Sequence, residues 1–367
     1  AIVCATIGQK VKINVLCNDA SNRPLRCELL QGTSGVSNPT YGIARWFSGN
    51  DCGVNALCTD RYRCIEYEVD TNLPTNVNTF VDTFTYTLID DLDCRRTATV
   101  RVTLCRVDAV DDTAMGCEGE PVQVCILAND VAGCATISCA NVEIVSITPP
   151  SAGTASTSNS CAALPNACMG MIGGCTTCCL QFVPAAGFAG PVTVRYRVRV
   201  TGADLPGTVC ESEAFDCFDE ADVNICVKPR PVAVEDCLQI DNPSFAGPYF
   251  VDVLANDTGG AGCELCCSPG PCVIQGCPTI LQQGTSTVST VLPGPDCRIQ
   301  VTLLPNFTGM DVIRYKIQNN CGCCAEGRLL VKVCITYDRQ QPGSLVIYPE
   351  YDNRDSQITL LTLTNTN

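Results

Sequence analysis

The stretch Ile126-Leu127-Ala128-Asn129-Asp130 occurs three times in this chain in closely similar form. The other two copies are Val15-Leu16-Cys17-Asn18-Asp19 and Val253-Leu254-Ala255-Asn256-Asp257. An apolar run that ends in Asn-Asp is typical of a strand that stops at a turn, because both side chains hydrogen-bond their own backbone. The asparagines are 111 and 127 residues apart, which is the spacing of whole domains rather than of solenoid units. The repetition therefore predicts three tandem domains of about 100 residues each.

A second landmark in each copy is an alternating strand centred on tyrosine. The three strands are Thr83–Leu88, Thr193–Val198 and Ile313–Ile317. Polar and apolar residues alternate in them, which places one face of the strand on a core. A Gly-Thr step at Gly32, Gly153 and Gly284 precedes each of them and predicts a positive-φ turn into a strand. No stretch has a sustained helical period, so the chain is predicted to be all-β, with three tandem immunoglobulin-like antiparallel β-sandwich domains.

The order of these landmarks resembles a known family. In the second copy the landmarks are Ala109-Val110-Asp111-Asp112, Asn129-Asp130, Gly153-Thr154 and Tyr196. This order is similar to the tandem immunoglobulin-like (cadherin-like) repeats of microbial cell-surface and extracellular fibre proteins. The resemblance covers nearly all of residues 1–337. It implies extracellular β-sandwiches that serve as spacers in adhesins and surface fibres.

The landmarks also predict the domain boundaries. The expected domains are residues 1–106, 107–229 and 230–338, followed by an extension at 339–367. Segments Val107–Asp112 and Pro231–Asp236 open the second and third copies, and the first copy has no such segment before its landmark strand. The first domain is therefore expected to lack its first edge strand, which would leave backbone groups unpaired.

The C-terminal extension contains strongly β-forming sequence that belongs to none of the three sandwiches. Its predicted donor strand consists of Ile358, Thr359, Leu360, Leu361, Thr362 and Leu363. The predicted acceptor in the first domain consists of Lys10, Val11, Ile13 and Val15. A spare strand beside an incomplete sheet predicts strand donation between copies, which gives an open head-to-tail polymer. Two alternatives are that the extension packs on its own third domain, or that it is disordered or binds another partner.

Cysteine is the most unusual feature of the composition, with 31 residues in 367. Such a content predicts disulfides and a secreted, extracellular or cell-surface location. Because the sequence begins at Ala1, we interpret it as a mature chain from which a secretion signal has been removed. The predicted domains hold eight, twelve and eleven cysteines, so bridges that cross a domain or subunit boundary are expected. An odd total leaves at least one thiol free or bound to another molecule.

Nine of the cysteines form clusters with close spacing. They are Cys175, Cys178 and Cys179, then Cys263, Cys266 and Cys267, then Cys321, Cys323 and Cys324. The spacing also suits a zinc site or redox-active thiols. In an oxidising compartment, structural disulfides are the favoured interpretation.

Composition excludes several classes of function. The chain has no histidine, which excludes Ser-His-Asp and Cys-His hydrolases and His-ligated metal sites. A net charge of −15 argues against a nucleic-acid binder, and no apolar run has the length of a membrane span. Paired carboxylates can hydrolyse glycosides, but a single tryptophan offers no sugar platform. We therefore predict that the protein is not an enzyme.

Two further kinds of site are suggested by the residues. Carboxylates at the predicted domain junctions are candidates for calcium, with a solvated acidic surface as the alternative. They are Asp111, Asp112, Glu235 and Asp236, and no other cofactor is predicted. Asn256 and Asn306 begin N-glycosylation sequons. Taken together, the sequence predicts a structural subunit of an extracellular filament whose partners are copies of itself and possible glycans. The alternative is a cell-surface adhesin or ligand-binding ectodomain that acts through its Cys-rich loops.

Overall fold

The computed structural model describes residues 1–29, 32–47, 64–75, 77–161, 175, 177–202, 215–241, 246–266, 278–292 and 297–335. The chain divides into two compact units, Ala1–Arg230 and Pro231–Asn367. Strands dominate both units, and the described ranges contain no α-helix. The all-β fold predicted from the alternating patterns is therefore confirmed. The exact division into three domains stays a prediction, and we call the three sequence copies the first, second and third repeats.

The first repeat forms two sheets. Its strands are β1 (Ile2–Cys4), β2 (Lys10–Ile13), β3 (Gly42–Phe47), β4 (Cys64–Val69), β5 (Thr79–Ile89) and β6 (Arg95–Cys105). Their order is β1-β6-β5 in one sheet and β2-β4-β3 in the other. Buried aromatic side chains fill the space between them, among them Trp46, Tyr67 and Phe84.

The second repeat forms a larger sandwich and a two-stranded ribbon. Its strands are β7 (Val107–Asp108), β8 (Asp112–Cys117), β9 (Val122–Cys125), β10 (Val131–Ala132), β11 (Val142–Thr148), β12 (Gly153–Ser158), β13 (Cys179–Pro184), β14 (Gly190–Thr201) and β15 (Asp216–Lys228). The sheets have the orders β11-β14-β15-β8 and β12-β13-β9, and β10 pairs with β7.

The third repeat, in the second compact unit, has the strand order of the second repeat. Its strands are β16 (Asp236–Asp241), β17 (Tyr249–Val251), β18 (Thr279–Gln282), β19 (Thr287–Val291), β20 (Ile299–Leu303), β21 (Gly309–Gln318) and β22 (Cys324–Cys334). The sheets are β16-β22-β21-β18 and β17-β20-β19. β1, β8 and β16 run parallel to the last strands of their repeats, which are β6, β15 and β22.

Strand β14 shows how the period-2 pattern builds the sandwich. Val194, Tyr196 and Val198 are buried, while the arginines between them point outward. Arg195 Nε donates to Asp222 Oδ1 of β15 at 2.8 Å, and neighbouring arginines pair with acidic residues of the same strand. Exposed pairs of this kind contribute about 0–1 kcal/mol each, so burial of the inner face is the main stabilising contribution.

The first repeat has a first strand, so the prediction that it lacks one is wrong. β1 lies beside the end of β6, with Ile2 opposite Thr103 and Cys4 opposite Cys105. Only three residue pairs form, compared with six for β8 and six for β16. The sequence pattern failed because so short a strand carries no Asp-rich opening. Burial of Val3 and a disulfide at Cys4 hold it in place instead.

At the opposite edge of the same sheet, beside β5, the described residues of the first repeat lack a strand that the other two repeats have. In the second and third repeats a strand pairs antiparallel with the tyrosine-bearing strand, β11 with β14 and β18 with β21. Beside β5 the described residues form only two isolated bridges, Leu25 with Asp90 and Val36 with Tyr86. Within the described ranges, the first repeat therefore has a three-stranded sheet where the other two repeats have four strands.

One hydrogen bond recurs in all three repeats and joins the two landmarks. The hydroxyls of Tyr86, Tyr196 and Tyr315 donate to the backbone carbonyls of Val15, Ile126 and Val253 at 3.0, 3.2 and 3.4 Å. Each accepting carbonyl lies three residues before the Asn of an Asn-Asp turn. The same hydroxyls also donate to buried or half-buried carboxylates, those of Asp19, Asp130 and Asp236. Burial beside these acceptors raises the pKa of each tyrosine, so the hydroxyls stay protonated donors.

Replacing Tyr196 with Phe tests this bond. The variant removes the tyrosine donor from the Ile126 carbonyl and from Oδ2 of Asp130 in a buried position, which costs about 1–3 kcal/mol of unfolding free energy. Tyr41→Phe is the matched control, because its hydroxyl makes no hydrogen bond within the described residues and its ring packs on Phe80. Urea unfolding with the disulfides intact measures the difference, and equal midpoints for the two variants would contradict this assignment.

Candidate functional site

The predicted acceptor residues lie on strand β2. Val11, Ile13 and Val15 are 4, 6 and 5% exposed and pack into the core of their own repeat. Lys10 is exposed and its Nζ lies 3.3 Å from Glu66 Oε1 of β4. These side chains therefore do not line an open groove. β2 is an edge strand of its sheet within the described residues, so a further strand could pair only with its outer backbone edge.

The outer edge of β5 offers a second backbone ladder. Thr87 N donates to Gly35 O at 2.8 Å, and Ser37 N donates to Thr85 O at 2.8 Å. Arg26 N donates to Ile89 O at 2.9 Å. Alternate residues of β5 thus direct their backbone groups outward. Thr85 N also donates to Ser37 Oγ and Thr83 N to Asp82 Oδ1, so irregular segments and side chains of the same chain, rather than a regular strand, occupy much of this edge.

The predicted donor strand cannot be compared with the structure. Residues 358–363, like the whole extension 339–367, lie outside the described residues. Within residues 236–334, the two sheets of the third repeat contain four and three strands, as do the two sheets of the second repeat. In the described part of the chain, the third repeat is therefore not short of a strand that the extension would supply.

Two disulfides join the first repeat to the second, within one compact unit. Cys4 is bonded to Cys217, and Cys105 is bonded to Cys134. The side chain of Arg106 donates to backbone carbonyls before β5, including that of Pro74 at 2.9 Å. The sequence predicted bridges across boundaries but not their connectivity, because many pairings of so many cysteines are possible.

Most of the predicted cysteine clusters are in disulfides. Cys175 is bonded to Cys125, Cys178 to Cys139, Cys179 to Cys161 and Cys263 to Cys321. Cys266, Cys323 and Cys324 are also disulfide-bonded, and Cys267 lies outside the described residues. A bonded sulfur is not a thiolate ligand, so these residues do not form a zinc site.

The calcium candidates take part in hydrogen bonds and ion pairs within the protein. Asp111 Oδ1 accepts from Asp222 N at 2.8 Å, and Glu235 Oε2 lies 3.5 Å from Arg328 Nη1. Asp236 accepts from a tyrosine hydroxyl at 2.5 Å. The described residues contain no group of three or more acidic or cysteine side chains placed to hold an ion.

Asp112 has the most perturbed carboxyl group of the four candidates. Burial, reinforced by the nearby Asp130 carboxylate, raises the pKa of Asp112 to about 6. Tyr196 donates to it at 3.4 Å, a weaker contact than the 2.9 Å bond to Asp130. The half-buried Asp112 and the buried Asp130 form an acidic pair around the tyrosine hydroxyl, which suits a structural role.

Two buried carboxylates were not found by sequence reasoning. Asp82 accepts from Thr40 N and Tyr41 N at 2.8 and 2.7 Å, ahead of β3. Asp311 accepts from Thr285 N and Ser286 N at 2.9 and 2.7 Å, ahead of β19. Each lies four residues before the tyrosine of its strand, and that spacing is the signal that could have identified them.

The two sequon asparagines lie on exposed turns. The side chain of Asn256 hydrogen-bonds the Asp236 carboxylate and helps to lower its pKa against the larger effect of burial. Asn306 has a positive φ of 62° and makes no side-chain hydrogen bond within the described ranges. Asn306 is the more available acceptor for a glycan.

Comparisons with known proteins do not identify a family. No protein-family model matches the chain, and no curated protein matches it. An endo-fucoidan hydrolase from glycoside hydrolase family 107 is 11% identical with a TM-score of 0.21, over 82% of this chain and 39% of that chain. Drosophila N-cadherin EC1-4 is 9% identical with a TM-score of 0.22, over 90% of this chain and 72% of that one. The human desmocollin-1 ectodomain is 9% identical with a TM-score of 0.22, over 86% and 59%.

These similarities are too weak to carry an argument about function. The chain spans about two fifths of the length of the fucoidan hydrolase, at 39% coverage. The all-β architecture rests instead on the strand pairings of this chain. No helix in its described part is long and apolar enough to cross a membrane.

The raised pKa of Asp112 gives a pH-dependent prediction. Its value of about 6 lies above the value of about 4 in an unfolded chain, so the native state binds more protons between these values. The stability contributed by this group therefore falls as the pH rises through that window. Asp112→Asn should gain unfolding free energy relative to the wild type between pH 4 and pH 7, by thermal or urea unfolding.

Asp222→Asn is the matched control for that experiment. The Arg195 guanidinium lowers the pKa of Asp222, so this group stabilises the native state at higher pH. The variant should lose stability relative to the wild type as the pH rises. The same direction of change in both variants would contradict the assignment of Asp112.

Proposed function

We propose that the protein is a structural subunit of an extracellular filament. Each copy donates a β-strand from its C-terminal extension to the first repeat of the next copy, which makes a head-to-tail polymer. Contacts between different surfaces of identical subunits form open filaments when the rotation between subunits does not close a ring.

The strand complement of the repeats is the observation that carries this proposal. Within the described residues, the second and third repeats each have a four-stranded and a three-stranded sheet, while the first repeat has two three-stranded sheets. The extension at 339–367 adds β-forming sequence that none of these sheets needs. One repeat is thus a strand short, and the chain has sequence for one strand more.

The outer edge of β5 is the acceptor that the geometry favours. A donated strand there would run antiparallel to β5, in the place that β11 takes beside β14. The predicted acceptor on β2 is the second candidate edge. However, the strands that correspond to β2, which are β9 and β17, are also edge strands in the described sheets. An open edge at that position is therefore not specific to the first repeat, whereas the missing partner of β5 is.

The remaining features suit a durable extracellular fibre. Disulfides link segments within the second repeat and join the first repeat to the second, and each typically contributes about 2–4 kcal/mol. A net charge of −15 opposes lateral clumping of filaments. In this proposal, function consists of mechanical and chemical resistance.

Deleting residues 339–367 tests the proposal. The truncated chain should form no filaments by negative-stain electron microscopy, because no donor strand reaches the acceptor edge of the next copy. Its unfolding midpoint should equal that of the unassembled full-length chain, because the sheets of the third repeat already have the same number of strands as those of the second within the described residues. Leu360→Asp should have the same effect as the deletion, and Asn353→Asp, outside the predicted donor strand, is the matched control. Normal filaments from the truncated chain would refute strand donation.

A peptide experiment distinguishes the two acceptor edges. A synthetic peptide of residues 356–367 is added to the truncated chain, and amide hydrogen exchange is measured. The Thr85 and Thr87 amides already donate to Ser37 Oγ and Gly35 O within the chain, so we expect their exchange to slow further when a continuous strand replaces these contacts. Protection of Lys10–Ile13 instead would move the acceptor to β2, and protection confined to the third repeat would show that the extension packs on its own molecule.

A further inference from the structure

Strand register relates the cysteines of the three repeats to one another. The last strand of each repeat contains one residue that pairs with the buried tyrosine of the preceding strand. These residues are Ala98 in β6, Ala221 in β15 and Gly327 in β22. Seven residues further along the strands are Cys105, Lys228 and Cys334. Cys334 is therefore the third-repeat equivalent of Cys105, and each is the last residue of its strand.

The same register relates residues at the start of these strands. Four residues before Ala98, Ala221 and Gly327 are Cys94, Cys217 and Cys323. Cys94 is therefore the first-repeat equivalent of Cys217. It lies in the turn between β5 and β6, and β6 separates it from Cys105 by 11 residues, or about 35 Å of extended strand.

The junction between the first and second repeats shows what these two positions do. Cys105, at the end of one repeat, is bonded to Cys134 of the next, and Cys217 is bonded back to Cys4. The Sγ of Cys217 lies 3.7 Å from the backbone carbonyl oxygen of Cys105. We call the position of Cys105, at the end of the last strand, the end position, and the position of Cys217, at the start of the last strand, the hairpin position. At this junction the end position of one repeat and the hairpin position of the next are thus direct neighbours, and both cysteines are in disulfides.

Cys94 occupies the hairpin position of the first repeat and Cys334 occupies the end position of the third repeat, and both are free thiols. Both cysteines are exposed and neither is in a disulfide. The Asp90 carboxylate accepts from Cys94 N at 2.8 Å and from Leu92 N at 2.9 Å, which fixes the turn that presents the Cys94 thiol. The other two free thiols of the described chain, Cys226 and Cys237, occupy neither register position.

We propose that Cys334 of one subunit and Cys94 of the next form an intersubunit disulfide. The third repeat of one copy would meet the first repeat of the next as the first repeat meets the second within the chain. The inference rests on the head-to-tail filament proposed above, and it adds a covalent bond at each subunit contact. The odd number of cysteines, 31, is compatible with bonds between molecules.

The bond forms by thiol–disulfide exchange with a low-molecular-weight disulfide as the oxidant. The Cys94 thiolate attacks that disulfide, forms a mixed disulfide and releases one small thiolate. The Cys334 thiolate of the neighbouring subunit then attacks the Cys94 sulfur and releases the second small thiolate. Two protein thiols are oxidised, one small disulfide is reduced to two thiols, and two protons leave the protein thiols.

Non-reducing gel electrophoresis of filaments tests the proposal after free thiols are alkylated. Wild-type filaments dissolved in detergent should give a ladder of dimers, trimers and longer species that collapses to monomer on reduction. Cys94→Ser and Cys334→Ser should each abolish the ladder. Cys237→Ser, which removes another exposed free thiol, is the matched control and should leave the ladder unchanged. Mass spectrometry of the wild-type ladder should find a peptide that joins Cys94 to Cys334.

The outcomes separate this inference from the proposed function. Filaments of Cys94→Ser that are visible by electron microscopy but run as monomers would support both proposals. Wild-type filaments that run as monomers, a ladder that survives Cys94→Ser, or linked peptides of other cysteines would overturn the disulfide and leave strand donation standing. If the wild type forms no filaments, the proposed function fails. The same gel on concentrated subunits then decides the disulfide, since Cys94–Cys334 dimers support it and monomers overturn it.

Discussion

The structure depends on one hydrogen bond that is made three times, from a buried tyrosine hydroxyl to the carbonyl before an Asn-Asp turn. The tyrosine lies in one sheet and the turn follows a strand of the other. A buried donor and acceptor are costly to separate, so the bond holds the two sheets in the same relation in every repeat. That common frame is why residues of different repeats can be compared position by position.

Much of the fold could be predicted from the sequence, because it depends on local patterns. Alternation in strands such as β14 and the Asn-Asp turns both follow from short-range chemistry. The Gly-Thr step was only partly right, because Gly32 and Gly153 have a positive φ but Gly284 does not, and Gly32 does not begin a strand of the first repeat. There β3 begins at Gly42, which follows Asn18 at the distance at which Gly153 follows Asn129, whereas Gly32 lies opposite Trp46. Short strands such as β1 and the disulfide partners depend on long-range packing, which no local pattern encodes.

The candidate site was predicted less well than the fold. The prediction that the first repeat lacks its first edge strand was wrong, because β1 occupies that edge. The sequence comparison considered how each copy begins, and the shortfall lies beside β5, where the other repeats place their third strand. The predicted acceptor side chains Val11 and Ile13 are core residues, because alternation identifies a buried face and not an unpaired backbone edge.

The proposed assembly extends to neighbouring molecules the arrangement that joins the first and second repeats within the chain. A cryo-electron microscopy reconstruction of native filaments would test this most directly. We expect a strand from a neighbouring subunit, with the sequence around Leu360, lying antiparallel along the outer edge of β5. A map in which that segment packs on the third repeat of its own subunit, with no neighbouring strand beside β5, would contradict it.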